Sequence, residues 1–155
     1  MGASLVAVAG VAAGLAFAAT WVMPIAVHTD ARQIATLTPV QGFEWPSQLL
    51  GNAGKNGNGY EFHGLTVIST ETDIFSGHTD RTCLVAVPSA SLHSDSAGIT
   101  GPLVYGCGAG TFPATAQTVV TKEMPQELRD VVPVGSALQF ILDGDRVGVY
   151  SDAKQ

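Results

Sequence analysis

Residues 137–150 read ALQFILDGDRVGVY and carry the clearest local structural signal in the chain. The segments 137–142 and 146–150 are short and rich in β-branched and aromatic residues, which is typical of strands. Asp143 and Gly144, which lie between them, are the residue types that a type I′ turn requires. We therefore predict a β-hairpin in which Asp143 and Gly144 occupy the two central turn positions, both with positive φ.

Four further segments upstream have a similar composition and are bounded by Gly, Pro, Ser or Asp. They are 65–70 (LTVIST), 81–87 (RTCLVAV), 103–107 (LVYGC) and 116–121 (AQTVVT). The stretch 124–131 (MPQELRDV) predicts a short helix, because Pro125 is tolerated in a first helical turn. The predicted fold class is mainly β, a small sandwich or meander with at most one short helix, over residues 60–150.

The chain before this unit divides into two parts. Residues 51–59 read GNAGKNGNG, a composition that tolerates positive φ and favours a flexible linker. We therefore assign residues 28–59 to a tether. Residues 1–27 contain no Asp, Glu, Lys, Arg or His. Within them, residues 3–27 reach the length of about 20 mainly apolar residues that a membrane-spanning helix needs.

Residues 3–27 allow three interpretations. A retained transmembrane helix is favoured, with Trp21 near its C-terminal interface. A cleaved signal peptide would use Ala16-Phe17-Ala18 as its small-x-small site, but no positively charged n-region precedes the apolar run. A buried core helix is the third interpretation, and so long an apolar stretch is rare in a small domain.

The two cysteines, Cys83 and Cys107, both fall in predicted strands. No CxxC pair or further ligand accompanies them, so a zinc site is not indicated. An even pair behind an export-like segment favours a disulfide in an oxidising compartment, and two buried thiols are the alternative. We therefore expect a Cys83–Cys107 bond and a folded domain outside the cytoplasm, joined to a single-pass membrane helix.

The net charge of the chain and its apolar N-terminal segment indicate which partners to expect. A net charge of −6 without any Lys/Arg cluster excludes nucleic acid as a partner. The membrane is the expected partner of residues 3–27. Gly10 and Gly14 form a GxxxG element, which permits close helix approach and self-association.

No residue pattern in the sequence points strongly to a metal site or to catalysis. Three HxD triplets are present, at His28-Thr29-Asp30, His78-Thr79-Asp80 and His93-Ser94-Asp95, and they could in principle ligate a metal. All three fall in predicted loops or in the tether, where such residues are ordinary. No HExxH and no GxSxG occurs. The sequence therefore assigns no catalytic, cofactor-binding or metal-binding residue, and no cofactor.

The elements RTCLVAV (81–87), YGCGAG (105–110) and ALQFILDGDRVGVY (137–150) occur in this order behind one hydrophobic segment. In this they resemble a group of uncharacterised actinobacterial single-pass membrane proteins with a small extracytoplasmic Cys-containing β-domain. The resemblance covers about residues 60–150. It implies the same architecture and implies no activity.

Two classes of function remain after this reading. The leading hypothesis is a membrane-anchored extracytoplasmic binding or interaction module without catalysis. The alternative is a surface hydrolase whose Ser, His and Asp residues meet only in the folded chain, for which His93 or the His78/Asp80 pair are the candidates. An accessory subunit of a membrane complex is a further possibility.

Overall fold

The computed structural model describes residues 30–44, 46, 57–92 and 99–153, and these form two four-stranded antiparallel sheets with two helical turns. The first sheet consists of β1 (Arg32–Leu37), β6 (Thr115–Val119), β7 (Ala137–Asp143) and β8 (Arg146–Ser151). The second consists of β2 (Gly59–Phe62), β3 (Leu65–Thr70), β4 (Cys83–Pro88) and β5 (Val104–Cys107). The helical turns are α1 (Ser89–Leu92) and α2 (Gln126–Arg129). The strand orders are β1-β8-β7-β6 and β2-β3-β4-β5.

The core lies between the two sheets, because alternate residues of the facing strands are apolar. The rings of Phe62 and Phe140 meet edge to face across the core, with centroids 6.1 Å apart. Tyr60 is fully buried beside them. Its hydroxyl donates a hydrogen bond to the carbonyl oxygen of Asp145 at 3.0 Å, so the one polar atom of that ring has a partner.

The two central strands of the second sheet, β3 and β4, are buried along their whole length. Burial on both faces explains why the sequence of β4 reads as a continuous apolar run instead of an alternating one. The core covers one face of the second sheet. On the opposite face, the hydroxyl of Ser89 in α1 lies 2.9 Å from the hydroxyl of Thr66 in β3, so the chain after β4 folds back over the second sheet.

The sheets approach each other closely where β5 meets β6. A Cβ on Gly106 would overlap the carbonyl oxygen of Thr115, so only glycine fits at that position. At the opposite edge of the sandwich, the chain after β1 meets the start of β2, and the amide of Val40 donates to the carbonyl oxygen of Gly59 at 2.8 Å. Both sides of the sandwich are therefore joined by backbone contacts.

The mainly β prediction is confirmed. Each of the six predicted strands is present, with ends within two residues of those expected. The predicted helix at 124–131 is present as α2, preceded by Pro125. The expectation of at most one short helix is wrong, because α1 is a second helical turn.

The assignment of residues 28–59 to a tether needs correction, because Arg32–Leu37 forms β1 and pairs with β8. The pairing register shifts between Gln33 and Ala35, which leaves Ile34 as an extra residue in the strand. A bulge of this kind breaks the two-residue period by which a strand is recognised. The strand also lies at an edge and is mostly exposed, so it carries little apolar signal.

The hairpin over 137–150 is confirmed, but its predicted turn is wrong. Asp143 ends β7 and pairs with Arg146, so the two central residues are Gly144 and Asp145. Of these only Gly144 has positive φ, at +62°, which is the pattern of a type II′ turn. A type II′ turn has its positive φ at the first central position. Glycine adopts positive φ without steric cost, so Gly144 favours this turn type.

A two-residue turn with positive φ at both positions occurs elsewhere. His63 and Gly64 connect β2 to β3 with φ of 43° and 78°. A Cβ on Gly64 would lie 2.7 Å from the Cβ of Pro125, so the approach of α2 also requires glycine here.

The proposed membrane segment 3–27, with Gly10 and Gly14, lies outside the described residues, as do His28 and His93. Across the ranges that the structure does describe, no helix combines the length and the apolar character needed to cross a bilayer.

The sandwich has two poles, which the strand directions define. The N-terminal pole contains Asp30 and the start of β1, the β2–β3 turn and the connection 120–136. The disulfide pole contains the loop 71–82, the hairpin 108–114 and the β7–β8 turn. Since a six-residue strand spans about 20 Å, the two poles are separate surfaces.

Candidate binding site at the disulfide pole

The Cys83–Cys107 disulfide is present, which confirms the sequence prediction. Cys83 is the first residue of β4, Cys107 is the last of β5, and the two are directly opposite in the ladder with Cα atoms 3.9 Å apart. The amide of Gly108 donates to the carbonyl oxygen of Thr82 at 2.8 Å, which marks the cysteines as a non-hydrogen-bonded pair. Such pairs bring Cα atoms closest, so the register itself places the two thiols in reach.

The disulfide joins the bases of two loops. The loop 71–82 ends immediately before Cys83, and the hairpin 108–114 begins immediately after Cys107. The two loops therefore leave the sheet from one cross-linked point.

Asp73 organises the loop 71–82. Its Oδ1 accepts hydrogen bonds from the amides of Phe75 at 3.0 Å and Ser76 at 3.2 Å, and from the hydroxyl of Tyr105. Its own amide donates to the carbonyl oxygen of His78 at 2.8 Å. One side chain thus orders the loop from within and ties it to β5.

Tyr105 links this carboxylate to the disulfide. Its hydroxyl oxygen lies 2.8 Å from Sγ of Cys107 and 3.4 Å from Sγ of Cys83. Burial and the neighbouring Asp73 carboxylate raise the pKa of Tyr105 to about 12. Hydrogen bonds from Ser76, Tyr105 and the Phe75 amide hold the pKa of Asp73 below its usual value. At neutral pH the pair is therefore a phenol donating to a carboxylate, which suits a structural role better than proton transfer.

Asp73, Cys83 and Cys107 bring three potential metal-ligating atoms within 4.8 Å of one another. Metal ligation by cysteine needs the thiolate, however, and both sulfurs are engaged in the S–S bond. The cluster is therefore a loop anchor in this oxidation state.

Two phenylalanines project from the disulfide pole. Phe75 is 68% exposed and Phe112 is 76% exposed. The Phe75 ring stands edge-on to Tyr105 with centroids 4.7 Å apart, so the same tyrosine that holds Asp73 supports it. Phe112 closes a tight hairpin, exchanging two backbone hydrogen bonds with Ala109 at 3.0 and 3.1 Å. Both side chains are thus exposed on ordered backbone.

An open cleft of about 550 Å³ separates the two loops, and we call it the disulfide-pole cleft. Its walls are mainly polar, and Arg81 on one wall forms an exposed ion pair with Asp80 at 3.3 Å. The side chains that define it are Glu71, Thr79, Asp80, Arg81, Thr111 and Phe112. The cleft therefore combines hydrogen-bonding groups of both signs with an aromatic edge.

The structure does not bring the described histidines together. His63 lies in the β2–β3 turn at the N-terminal pole, whereas His78 lies in the loop 71–82 at the other end of β3. His78 and Asp80 are both exposed. The Ser89 hydroxyl lies 2.9 Å from the Thr66 hydroxyl, and the Ser91 hydroxyl donates to the carbonyl oxygen of Thr100, so neither serine bonds to a histidine in these contacts.

Sequence reasoning did not single out Asp73, Phe75, Tyr105 or Phe112. The segment 73–77, DIFSG, carries a turn signal that was available, since an Asp followed by Ser and Gly often accepts local backbone amides. The role of Tyr105 had no such signal, because its partner Asp73 lies 32 positions away in the chain.

Comparison of the chain with known protein families, with curated proteins and with solved structures found no match.

Proposed function

We propose that this chain is a membrane-anchored extracytoplasmic binding module that acts without catalysis and binds its ligand at the disulfide pole. The observation that carries the proposal is the cross-link at the base of two loops, which together hold the two most exposed aromatic side chains among the described residues. Aromatic anchors dominate binding energy at interfaces. Loops that are ordered before binding lose less conformational entropy when the ligand arrives.

The anchor is proposed from residues 3–27, and the fold supports an orientation for it. Asp30 follows Val27 by three positions, so at about 3.5 Å per residue the first described residue would lie within roughly 10 Å of the end of the span. An anchor at this point would hold the N-terminal pole near the bilayer. The disulfide pole would then face outward.

A second feature of the N-terminal pole agrees with this orientation. Val119, Val131 and Val134 are about half exposed, at 51, 49 and 48%. They lie at the end of β6 and in the connection 120–136, on the side where the chain arrives from its N-terminal segment. Half-exposed valines cost less beside a membrane interface than in open water.

Membrane anchoring is tested by fractionation of the full chain. We expect it to sediment with membranes and to resist extraction by alkaline carbonate. A soluble product with an N-terminus near Ala19 would show that a signal peptide has been removed, and would overturn the anchor.

Ligand binding at the disulfide pole is tested by photo-crosslinking in intact cells. A photoreactive phenylalanine analogue at position 112 should form a discrete crosslinked product, and the same analogue at Glu61, an exposed residue of β2, serves as control. Phe75→Ala should weaken the product formed from position 112 by about tenfold, the loss of one aromatic anchor. Equal products from both positions, or none from position 112, would contradict the proposed site.

A further inference from the structure

The outer face of the first sheet carries a row of uncharged polar side chains that crosses all four strands. The pairing register places Gln117 of β6 opposite Gln139 of β7, Gln139 opposite Tyr150 of β8, and Tyr150 opposite Gln33 of β1. These four residues form the glutamine–tyrosine row. With strands about 4.8 Å apart, the row is about 14 Å long and runs perpendicular to the strands.

The row faces solvent, because its neighbours in sequence face the core. Leu138 and Phe140 flank Gln139 and are both buried in the core, and Val149 precedes Tyr150 in the same way. Alternation along each strand therefore directs Gln139 and Tyr150 outward.

The ring of Tyr150 lies down on the sheet. Its neighbour on the same face is Gly148, and a Cβ there would lie only 3.0 Å from Cε2 of the ring. Glycine thus leaves room for the ring to lie along the sheet surface. The Tyr150 hydroxyl donates to Oε1 of Gln33 at 3.4 Å, and the Gln33 amide reaches along β1 to Thr36, so the ring runs along the strands toward Gly148. Tyr150 is partly exposed, and stacking would use the face of its ring that points away from Gly148.

The amides of Gln117 and Gln139 are available to a ligand. Within the described part of the chain, the side chains of Gln117 and Gln139 make no hydrogen bond to the protein. Each amide offers two donors and an acceptor with two lone pairs. They line an open groove of about 910 Å³ together with Tyr150.

We propose that this row is a binding site for a neutral glycan, a chain of pyranose sugars without carboxylate, sulfate or phosphate groups. Sugar hydroxyls are paired donors and acceptors on adjacent carbons, and a side-chain amide satisfies both kinds of group at once. The C–H face of a pyranose ring is a flat apolar surface that an aromatic ring can cover. The row itself is uncharged. The charged residues that also line the groove are Asp30, Arg32 and Asp152, and because two of the three are acidic, the groove does not favour an anionic polymer.

This site is independent of the proposed function at the disulfide pole. The row lies on the face of the first sheet, whereas Phe75 and Phe112 belong to the loops at one end of the sandwich. Loss of one binding activity would leave the other intact, so the two proposals fail separately.

The test is affinity electrophoresis of the full chain through native gels that contain a soluble neutral polysaccharide. Gels with dextran, mannan or β-glucan are compared with gels that contain polygalacturonate and with gels without polymer. The chain is kept in a detergent without a sugar headgroup, since a glycoside detergent would compete. We expect retardation by at least one neutral polymer and none by polygalacturonate.

The variants separate stacking from hydrogen bonding. Tyr150→Leu should weaken binding about tenfold and Tyr150→Phe should preserve most of it, because the ring face and not the hydroxyl makes the contact. Gln139→Ala should weaken binding about fivefold through the lost amide. Gly148→Ala should also weaken it by displacing the ring, and Phe112→Ala is the matched control that should bind normally.

Three results would overturn the proposal. They are the absence of retardation by any of the neutral polymers, retardation unchanged in both Tyr150→Leu and Gln139→Ala, and self-association of the chain through this face in place of glycan binding. Circular dichroism of each variant reports its fold, so a misfolded variant is replaced by Gln117→Ala, for which the same loss is expected.

Discussion

The two long connections of the sandwich are held by opposite means. The connection 120–136 inserts Met124, Leu128 and Val132 into the core, each at most 2% exposed. The loop 71–82 inserts no apolar side chain, and Asp73 is its one buried residue. Apolar burial fixes the first connection, whereas a carboxylate, a tyrosine and a disulfide fix the second.

This difference leaves the larger exposed side chain at the disulfide pole. The connection 120–136 buries its larger apolar side chains in the core and exposes Val131 and Val134 by about half. The loop 71–82 leaves Phe75 exposed because polar and covalent contacts hold its backbone. A covalent staple thus substitutes for a local core, as expected where a small domain has little apolar volume to spend.

The largest expected effect is the loss of the apolar anchor. Leu128→Ala should lower the free energy of unfolding by about 2–5 kcal/mol, since it removes a fully buried side chain and leaves a cavity. Urea denaturation measures this change. The neighbouring exposed Val131→Ala is the control and should stay within about 0.5 kcal/mol of the wild type. Equal effects of the two changes would show that the connection 120–136 is not held by its core contacts.

Loss of the covalent staple should have the next largest effect. The bond links residues 24 positions apart, so replacing both Cys83 and Cys107 by Ser should cost about 3 kcal/mol. Hydrogen exchange should become faster at the amides of Phe75 and Gly108 than at that of Val132. A uniform increase at all three amides would show that the disulfide stabilises the whole domain and not the loop 71–82 in particular.

Loss of the polar anchor should have a smaller effect. Tyr105→Phe keeps the ring against Phe75 but removes the hydroxyl that donates to Asp73. We expect a loss of about 1 kcal/mol in stability. Exchange of the Phe75 and Ser76 amides should accelerate, while the connection 120–136 is unchanged. Unaltered exchange in the loop would mean that Asp73 orders it without the help of Tyr105.

The smallest expected effect is the pH dependence that Asp73 and Tyr105 contribute. The folded-state pKa of Asp73 is lowered, so its stabilising contribution is complete above its unfolded pKa of about 4 and is lost as the pH falls below it. The pKa of Tyr105 is raised to about 12, so its contribution is complete below about 10 and is lost as the pH rises toward 12.

Asp73→Asn tests this dependence because asparagine has the same shape without the charge. Stability curves of the wild type and the variant, measured by thermal unfolding from pH 2 to 7, should approach each other as the pH falls from about 4 to 2. Curves that stay parallel over this range would show that Asp73 does not titrate with folding.

The elements that sequence reasoning found and missed differ in the kind of information they carry. The strands with two-sided burial, such as β4, are apolar throughout and are visible locally. The edge strand β1 is exposed and bulged, so its pairing with β8 has no local signature. The turn at Gly144-Asp145 was misplaced by one residue, because Asp-Gly and Gly-Asp both suit hairpins and the register of β7 with β8 decides between them.

The candidate sites were even less visible in the sequence. Asp73 and Tyr105 meet only because β4 lies between β3 and β5, which brings the loop after β3 to the end of β5. The glutamine–tyrosine row is spread over positions 33 to 150, and each member is an ordinary polar residue of a strand.

By itself, the sequence determined the β character of residues 65–150, the hairpin, the helical turn at Pro125 and the cysteine pair. These depend on local composition, on turn chemistry and on a residue type with one dominant partner. The tertiary structure alone decided the order of the strands, the separation of the two poles and the alignment of side chains across the sheets. The physical reason is that register and sheet order depend on contacts between residues far apart in the chain, and local composition does not encode those contacts.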